Sequence, residues 1–235
     1  MLRRCCFSVA LSLCFLGSAF AADWVSLIQH DSLEGWEKVG GDASFSIDQG
    51  VITGTTGAGK NTFLTKGNFA DFVLEFEVKC DPGLNSGVQI RSHLYGAPTP
   101  QESKLDRIRE KGEMFGYQCE IRGQTNGPNG CSGNFWDEGR RTKWLDDSVD
   151  AAKAQAVYKP GQWNHFRIIA QGSRIRSYVN DKPVADFTDD RDADGLIGLQ
   201  VHSVKKGSGP YQVSWRNLRI KTLANGEVYQ AGAAK

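Results

Sequence analysis

Three short strings set polar side chains at every second position between apolar ones. In SGVQIRSH, Val88 and Ile90 alternate with Gln89, Arg91 and His93. In FGYQCEI, Tyr117, Cys119 and Ile121 alternate with Gln118 and Glu120; in LIGLQVH, Ile197, Leu199 and Val201 alternate with Gln200 and His202. Successive side chains of a strand point to opposite faces, so each string gathers its polar residues on one face. If the three strands are neighbours, those residues form one patch carrying a guanidinium, a carboxylate and an imidazole. Such a set can grip a polyhydroxylated ligand, move a proton and stabilise a negative oxygen. Trp136, Trp144, Trp163 and Tyr178 are available to stack on the apolar face of a sugar ring. The same alternation also describes an ordinary solvated face of an antiparallel sheet, and the pattern alone leaves both readings open.

Other chemistry is excluded by spacing. GTTGAGKNT at 54–62 is close to a phosphate-binding loop, but Asn61 stands where the magnesium-binding hydroxyl is required and Thr62 comes one residue late. The strand-like NTFLTKGNFADFVLEFEVKC follows it where a helix is needed, so it reads as an inter-strand loop. Gly-x-Ser-x-Gly is missing. So are Cys-x-x-Cys and any Cys/His spacing suited to zinc.

The elements that must position the patch are strands. Phe72, Leu74, Phe76 and Val78 alternate with Val73, Glu75, Glu77 and Lys79. SFSIDQGVITGT reads as a hairpin turning at Asp48-Gln49-Gly50, and NHFRIIA with RIRSYVN as another turning at Gln171-Gly172-Ser173. In YQVSWRNLRI, Val213 and Trp215 have one parity and Leu218 and Ile220 the other, which predicts a bulge near Arg216-Asn217. Strands joined by short turns, with no sustained helical period, imply an all-β sandwich or barrel. Two long excursions interrupt them. One, about Leu94 to Phe115, contains KLDRIREKGE, which suggests a short helix; the other, about Arg122 to Lys159, carries Trp136, Asp137, Glu138, Arg140, Arg141 and Trp144.

Residues 1–21 have the shape of a secretory leader. Arg3 and Arg4 precede an apolar run from Cys5 to Phe20, ending in Ala19-Phe20-Ala21. The run is too short for a membrane span, and Leu13 before Cys14 does not suit a lipid anchor. The expectation is an exported protein, periplasmic or secreted, with one domain over 22–235. The chain's 28 basic and 27 acidic residues are near balance with or without the leader. Nothing in that balance calls for nucleic acid or an anionic membrane as partner. Beyond the leader lie Cys80, Cys119 and Cys131; Cys119 and Cys131 could bridge in an oxidising compartment, while burial is the expected role of all three.

The chain resembles the 3-keto-disaccharide hydrolase domain family. The matching pieces, in order, are LIQHDSLEGWE, DFVLEFEVK with NSGVQIR, GYQCEI, GNFWDEGRR, PGQWNHFRIIAQGSRIRSYVNDKPVADF, GLIGLQVH and VSWRNLRIK. The resemblance implies a concanavalin-like, laminarinase-like jelly-roll sandwich of two antiparallel sheets with long loops. It also implies cleavage of glycosides whose glucose unit carries a ketone at carbon 3, by elimination and hydration or by direct hydrolysis. A ketone acidifies the hydrogen on carbon 2, so a modest base suffices, with an acid near the leaving oxygen and donors for the enolate. Paired glycosidase carboxylates are not required, and the Glu-x-Asp-x-x-Glu run of laminarinase-like enzymes does not occur. On this reading Glu120, His202 and Arg91 are catalytic, the first two as candidate bases and Arg91 at the keto oxygen. Gln89, Gln118, Gln200, His93, Trp136, Asp137, Glu138 and Arg140 bind or close over the substrate. In the family the acid often precedes the amide on the GYQCE strand; here Gln118 and Glu120 are exchanged. The family type admits a divalent metal on Glu120 and His202, and the sequence names no metal site of its own. A non-catalytic sugar-binding module of the cell envelope and a structural envelope domain are the other readings.

Overall fold

The structure is a computed structural model, which describes residues 23–122, 130–224, 227 and 229; the leader-like segment lies outside them. Its strands, in chain order, begin with β1 (Val25–Ser26), β2 (Glu37–Gly40), β3 (Ser44–Asp48), β4 (Val51–Thr55), β5 (Thr62–Phe69) and β6 (Phe72–Cys80). Next come β7 (Ser86–Leu94), β8 (Thr99–Gln101), β9 (Lys104–Arg109), β10 (Met114–Ile121) and β11 (Phe135–Glu138). A short helix, α1 (Ala151–Val157), precedes β12 (Asn164–Gln171), β13 (Arg174–Val179), β14 (Lys182–Thr188), β15 (Gly195–Val201) and β16 (Gln212–Thr222).

All but β8 and β9, which pair with each other, form two antiparallel sheets of a jelly-roll sandwich. One runs β14-β13-β12-β6-β16-β4-β3, with β1 added beside β16; the other runs β11-β10-β7-β15-β5-β2. The core lies between them. Leu74, Phe76, Phe166, Ile168 and Trp215 from the first sheet meet Val88, Ile90, Tyr117, Cys119, Leu199 and Val201 from the second, all buried. The Phe76 and Phe166 rings stack with centroids 5.2 Å apart. The alternation of β6 does what period two requires: Phe72, Leu74, Phe76 and Val78 face inward. Glu75, on the other face, is also buried, because Arg167 and Arg219 each donate to its carboxylate at 2.6 Å.

The turns fall at the expected residues. Asp48 pairs with Val51 around Gln49-Gly50, and Gln171 pairs with Arg174 around Gly172-Ser173. Between β4 and β5 the GTTGAGKNT segment is a loop with no helix after it. In β16 the register shifts between Arg216 and Arg219, with Asn217 at φ 52°, so Val213, Trp215, Leu218 and Ile220 are all buried. KLDRIREKGE departs from expectation: its first part is strand β9, hairpin partner of β8, rather than helix. Cross-strand pairing outweighs helix propensity here, and Arg109 is anchored by Gln101 at 2.9 Å. Helix α1 instead begins at Asp150, whose carboxylate accepts from the Lys153 amide at 3.1 Å. Cys80, Cys119 and Cys131 are free, buried thiols, so no Cys119–Cys131 bridge forms. Among the described residues no helix is long and apolar enough to cross a membrane.

Candidate functional site

The outer face of β10, β7 and β15 carries the polar residues that alternation assigned to it. Gln118 lies opposite Gln89 across β10–β7, and Gln89 lies opposite Gly198 across β7–β15. The Gln118 carbonyl oxygen accepts from Gln89 Nε2 at 2.9 Å and from Gln200 Nε2 at 2.7 Å. Its own Nε2 donates to Glu120 at 2.9 Å, while Ser92 Oγ donates to Gln89 at 2.6 Å. Every link has a defined direction, and the chain ends on a carboxylate, which fixes that carboxylate's orientation. Gly87 makes room for it: a Cβ there would lie 2.6 Å from Gln118 Cγ. Two acceptor atoms near this floor, Gln200 Oε1 and Asn85 Oδ1, are buried without a hydrogen-bond partner among the described residues. Unmet buried acceptors call for donors such as sugar hydroxyls.

Above the floor lies a cleft in two lobes of about 290 and 450 Å³. Asn85, Gln118, Glu120, Arg122 and Trp144 line the smaller; Lys60, Phe63, Arg107, Arg109 and Glu113 are among those lining the larger. Trp136, Glu138 and His202 line both, so they form the waist. Together the lobes reach the size of small-molecule sites, roughly 300–1,000 Å³. Strand β11 presents Trp136 and Glu138 to the cleft because they are two residues apart; the Trp136 and Trp144 rings meet edge to face at 5.1 Å.

Burial raises the Glu120 carboxyl above its ordinary range, although Arg122 Nε at 3.1 Å opposes the shift. Glu138 is pushed up to about 7, first by burial and then by the nearby charge of Glu120. His202 Nδ1 lies 2.7 Å from the Ser203 carbonyl oxygen. A carbonyl only accepts, so Nδ1 carries a proton, and the tautomer this selects has its lone pair on Nε2. Asn61 accepts from the Ser203 amide at 2.9 Å, holding the segment that holds His202. The waist thus pairs a carboxyl that is partly protonated near neutrality with an imidazole set as a proton acceptor.

A family model for the 3-keto-alpha-glucoside-1,2-lyase-like domain matches residues 23–221. The chain belongs to this family. That places it among carbohydrate-active domains. No curated protein sequence matches the chain. Similar solved structures include a Bacillus subtilis protein with a galectin-like fold (TM-score 0.58, 10% identity, 86% of this chain and 96% of that one). Carbohydrate-binding module CBM66 from Bacillus subtilis is similar at TM-score 0.53 and 14% identity over 80% of this chain and 96% of its own. A Bacillus licheniformis beta-glucanase is similar at TM-score 0.50 and 12% identity over 88% and 100%. At such identities the likeness is one of fold.

Within this family member the structure gathers Gln89, Gln118, Glu120, Gln200, Trp136, Glu138 and His202 at one cleft and its floor. Four other sequence candidates lie elsewhere. Arg91 is fully buried at one end of the sandwich, where it donates to the carbonyls of Ala70 and Gly172 and to Asp71, each at 2.7 Å. The cause is a register shift beside it: Arg91 sits at φ 44° and Ser92 takes its place on the polar face. Asp137 faces away from the cleft, fully buried between Arg140 and Arg141. Arg140 also binds Asp192 at 2.7 Å, which His93 Nε2 approaches at 3.3 Å. These groups knit loops together. Sequence reasoning missed Asn85 and Arg122 as lining residues, and it missed Asn61 behind His202.

The donor set does not suit a divalent metal. Among the described residues no three His, Cys, Asp or Glu side chains are grouped closely enough to hold one, although Glu120, Glu138 and His202 line the same lobe, and Arg122 already occupies one Glu120 oxygen.

Proposed function

We propose that this domain cleaves the glycosidic bond of 3-keto-glycosides by elimination and hydration. His202 Nε2 takes the proton from carbon 2, and the electrons of that bond form the enolate of the carbon 3 ketone. Collapse of the enolate makes a carbon 1–carbon 2 double bond and expels the glycosidic oxygen, which takes a proton from Glu138. Water then adds across the double bond, hydroxyl to carbon 1 and proton to carbon 2. Asn85 and Gln200 accept from ring hydroxyls, Arg122 offers positive charge to the enolate, and Trp136 with Trp144 stacks on the ring. The observation that carries this reading is the waist, where a carboxyl at about 7 and the open nitrogen of His202 share one constriction. The leader-like residues 1–21 support placing the reaction outside the cytosol, with the domain occupying 22–235.

The test is a primary isotope effect. Deuterium at carbon 2 of a 3-keto-glucoside slows release severalfold if carbon 2 loses its hydrogen before or during bond cleavage. Equal rates overturn the elimination route in favour of direct hydrolysis. A domain that binds the sugars and releases nothing is the lectin-like alternative.

A further inference from the structure

The two lobes differ in charge. In the smaller, Arg122 is matched by Glu120, and apart from Glu138 and His202 at the waist the remaining lining is amide and indole. That composition suits a neutral ring. The larger lobe carries Lys60, Arg107 and Arg109 against Glu113 and, at the waist, Glu138, whose carboxyl feels the charges of Arg109 and Arg107. Glu113 binds Lys60, and Arg109 Nη1 stands 3.4 Å from it while Arg109 Nε holds Gln101. This cluster ties the 54–62 loop to the β8–β9 hairpin. Arg107 shares a strand face with Arg109 and, among the described residues, forms no hydrogen bond or ion pair.

We infer that the larger lobe receives the leaving group and favours one bearing an anionic substituent, a carboxylate or a phosphate, held by Arg107. The assignment of this lobe to the leaving group rests on the waist being the point of cleavage. The geometry supplies the rest: a neutral lobe and a cationic lobe share the waist residues Trp136, Glu138 and His202. A guanidinium matches carboxylate and phosphate oxygens in two-point fashion. Arg107 is exposed, so its effect is modest and sensitive to salt.

Calorimetry with glucuronate, glucose 6-phosphate and glucose, on the wild-type chain and on Arg107→Gln, tests it at low and high salt. The expected result is a preference of about fivefold for an anionic sugar over glucose at low salt. That preference shrinks with salt and disappears in Arg107→Gln. Glucuronate against glucose 6-phosphate decides between carboxylate and phosphate. Equal binding of all three sugars, no binding of any, or a preference that survives Arg107→Gln overturns the inference. These readouts need no turnover. A chain that shows the Arg107-dependent preference yet cleaves no 3-keto-glycoside loses the proposed function and keeps the anion site.

Discussion

Glu138→Gln should make the protein more stable at pH 8 while removing its activity. The Glu138 carboxyl sits at about 7 in the folded chain against an ordinary 4.5, so the folded state holds this proton more tightly than the unfolded state. Stability from this group is therefore complete below about 4.5, declines as pH rises towards about 7, and is lost above it. At about 1.4 kcal/mol per pH unit, that interval corresponds to about 3 kcal/mol. The side chain is only half-buried, and water screening brings the figure to about 1–3 kcal/mol. Glutamine keeps the shape and removes the titration. Urea denaturation of wild type and variant at pH 5, 6, 7 and 8 gives the difference directly. The variant's advantage should grow across that range, equivalent at pH 8 to about 2–12 °C in Tm. Carboxylates held low by arginines, such as Glu75 and Asp186, contribute equally to both proteins. Parallel stability curves would refute the claim that Glu138 is kept partly protonated.

Arg91→Ala should cost about 3 kcal/mol or more in urea denaturation, because it strands Asp71 and two turn carbonyls, and Arg91→Lys should restore only part of it. His202→Ala should slow release from a 3-keto-glycoside by about 10²–10⁴ while leaving the unfolding midpoint within a few degrees of wild type. Trp144→Ala should weaken sugar binding about fivefold by calorimetry, from the loss of one stacking partner.

Much of the floor was legible because its strands keep regular register. Gln89, Gln118, Glu120, Gln200 and His202 share a face for no deeper reason than spacing of two. Parity failed at Arg91, where the register shifts by a residue and flips the side chain. A signal existed: Gly116 at φ 131° and Gly195 at φ 151° lie at those irregularities, and glycine inside a strand pattern often marks a bulge. A Cβ at Gly195 would stand 2.4 Å from the Arg91 backbone, so the close approach needs glycine. Asp137, Arg140 and Asp192 were illegible as a network, because their partners come from separate loops. The β8–β9 hairpin was hidden by a charge pattern that suits a helix equally well. The role of Asn61 depends on a contact with Ser203, 142 residues away. The 54–62 string that suggested a nucleotide loop ends by buttressing the candidate base.

Release of free sugar from 3-keto-trehalose and from trehalose, by wild type, Glu138→Gln and His202→Ala, tests the central claim most directly. The account predicts release from the keto sugar alone, by wild type alone, and unchanged by EDTA. Release from trehalose itself, or full activity in both variants, would contradict it.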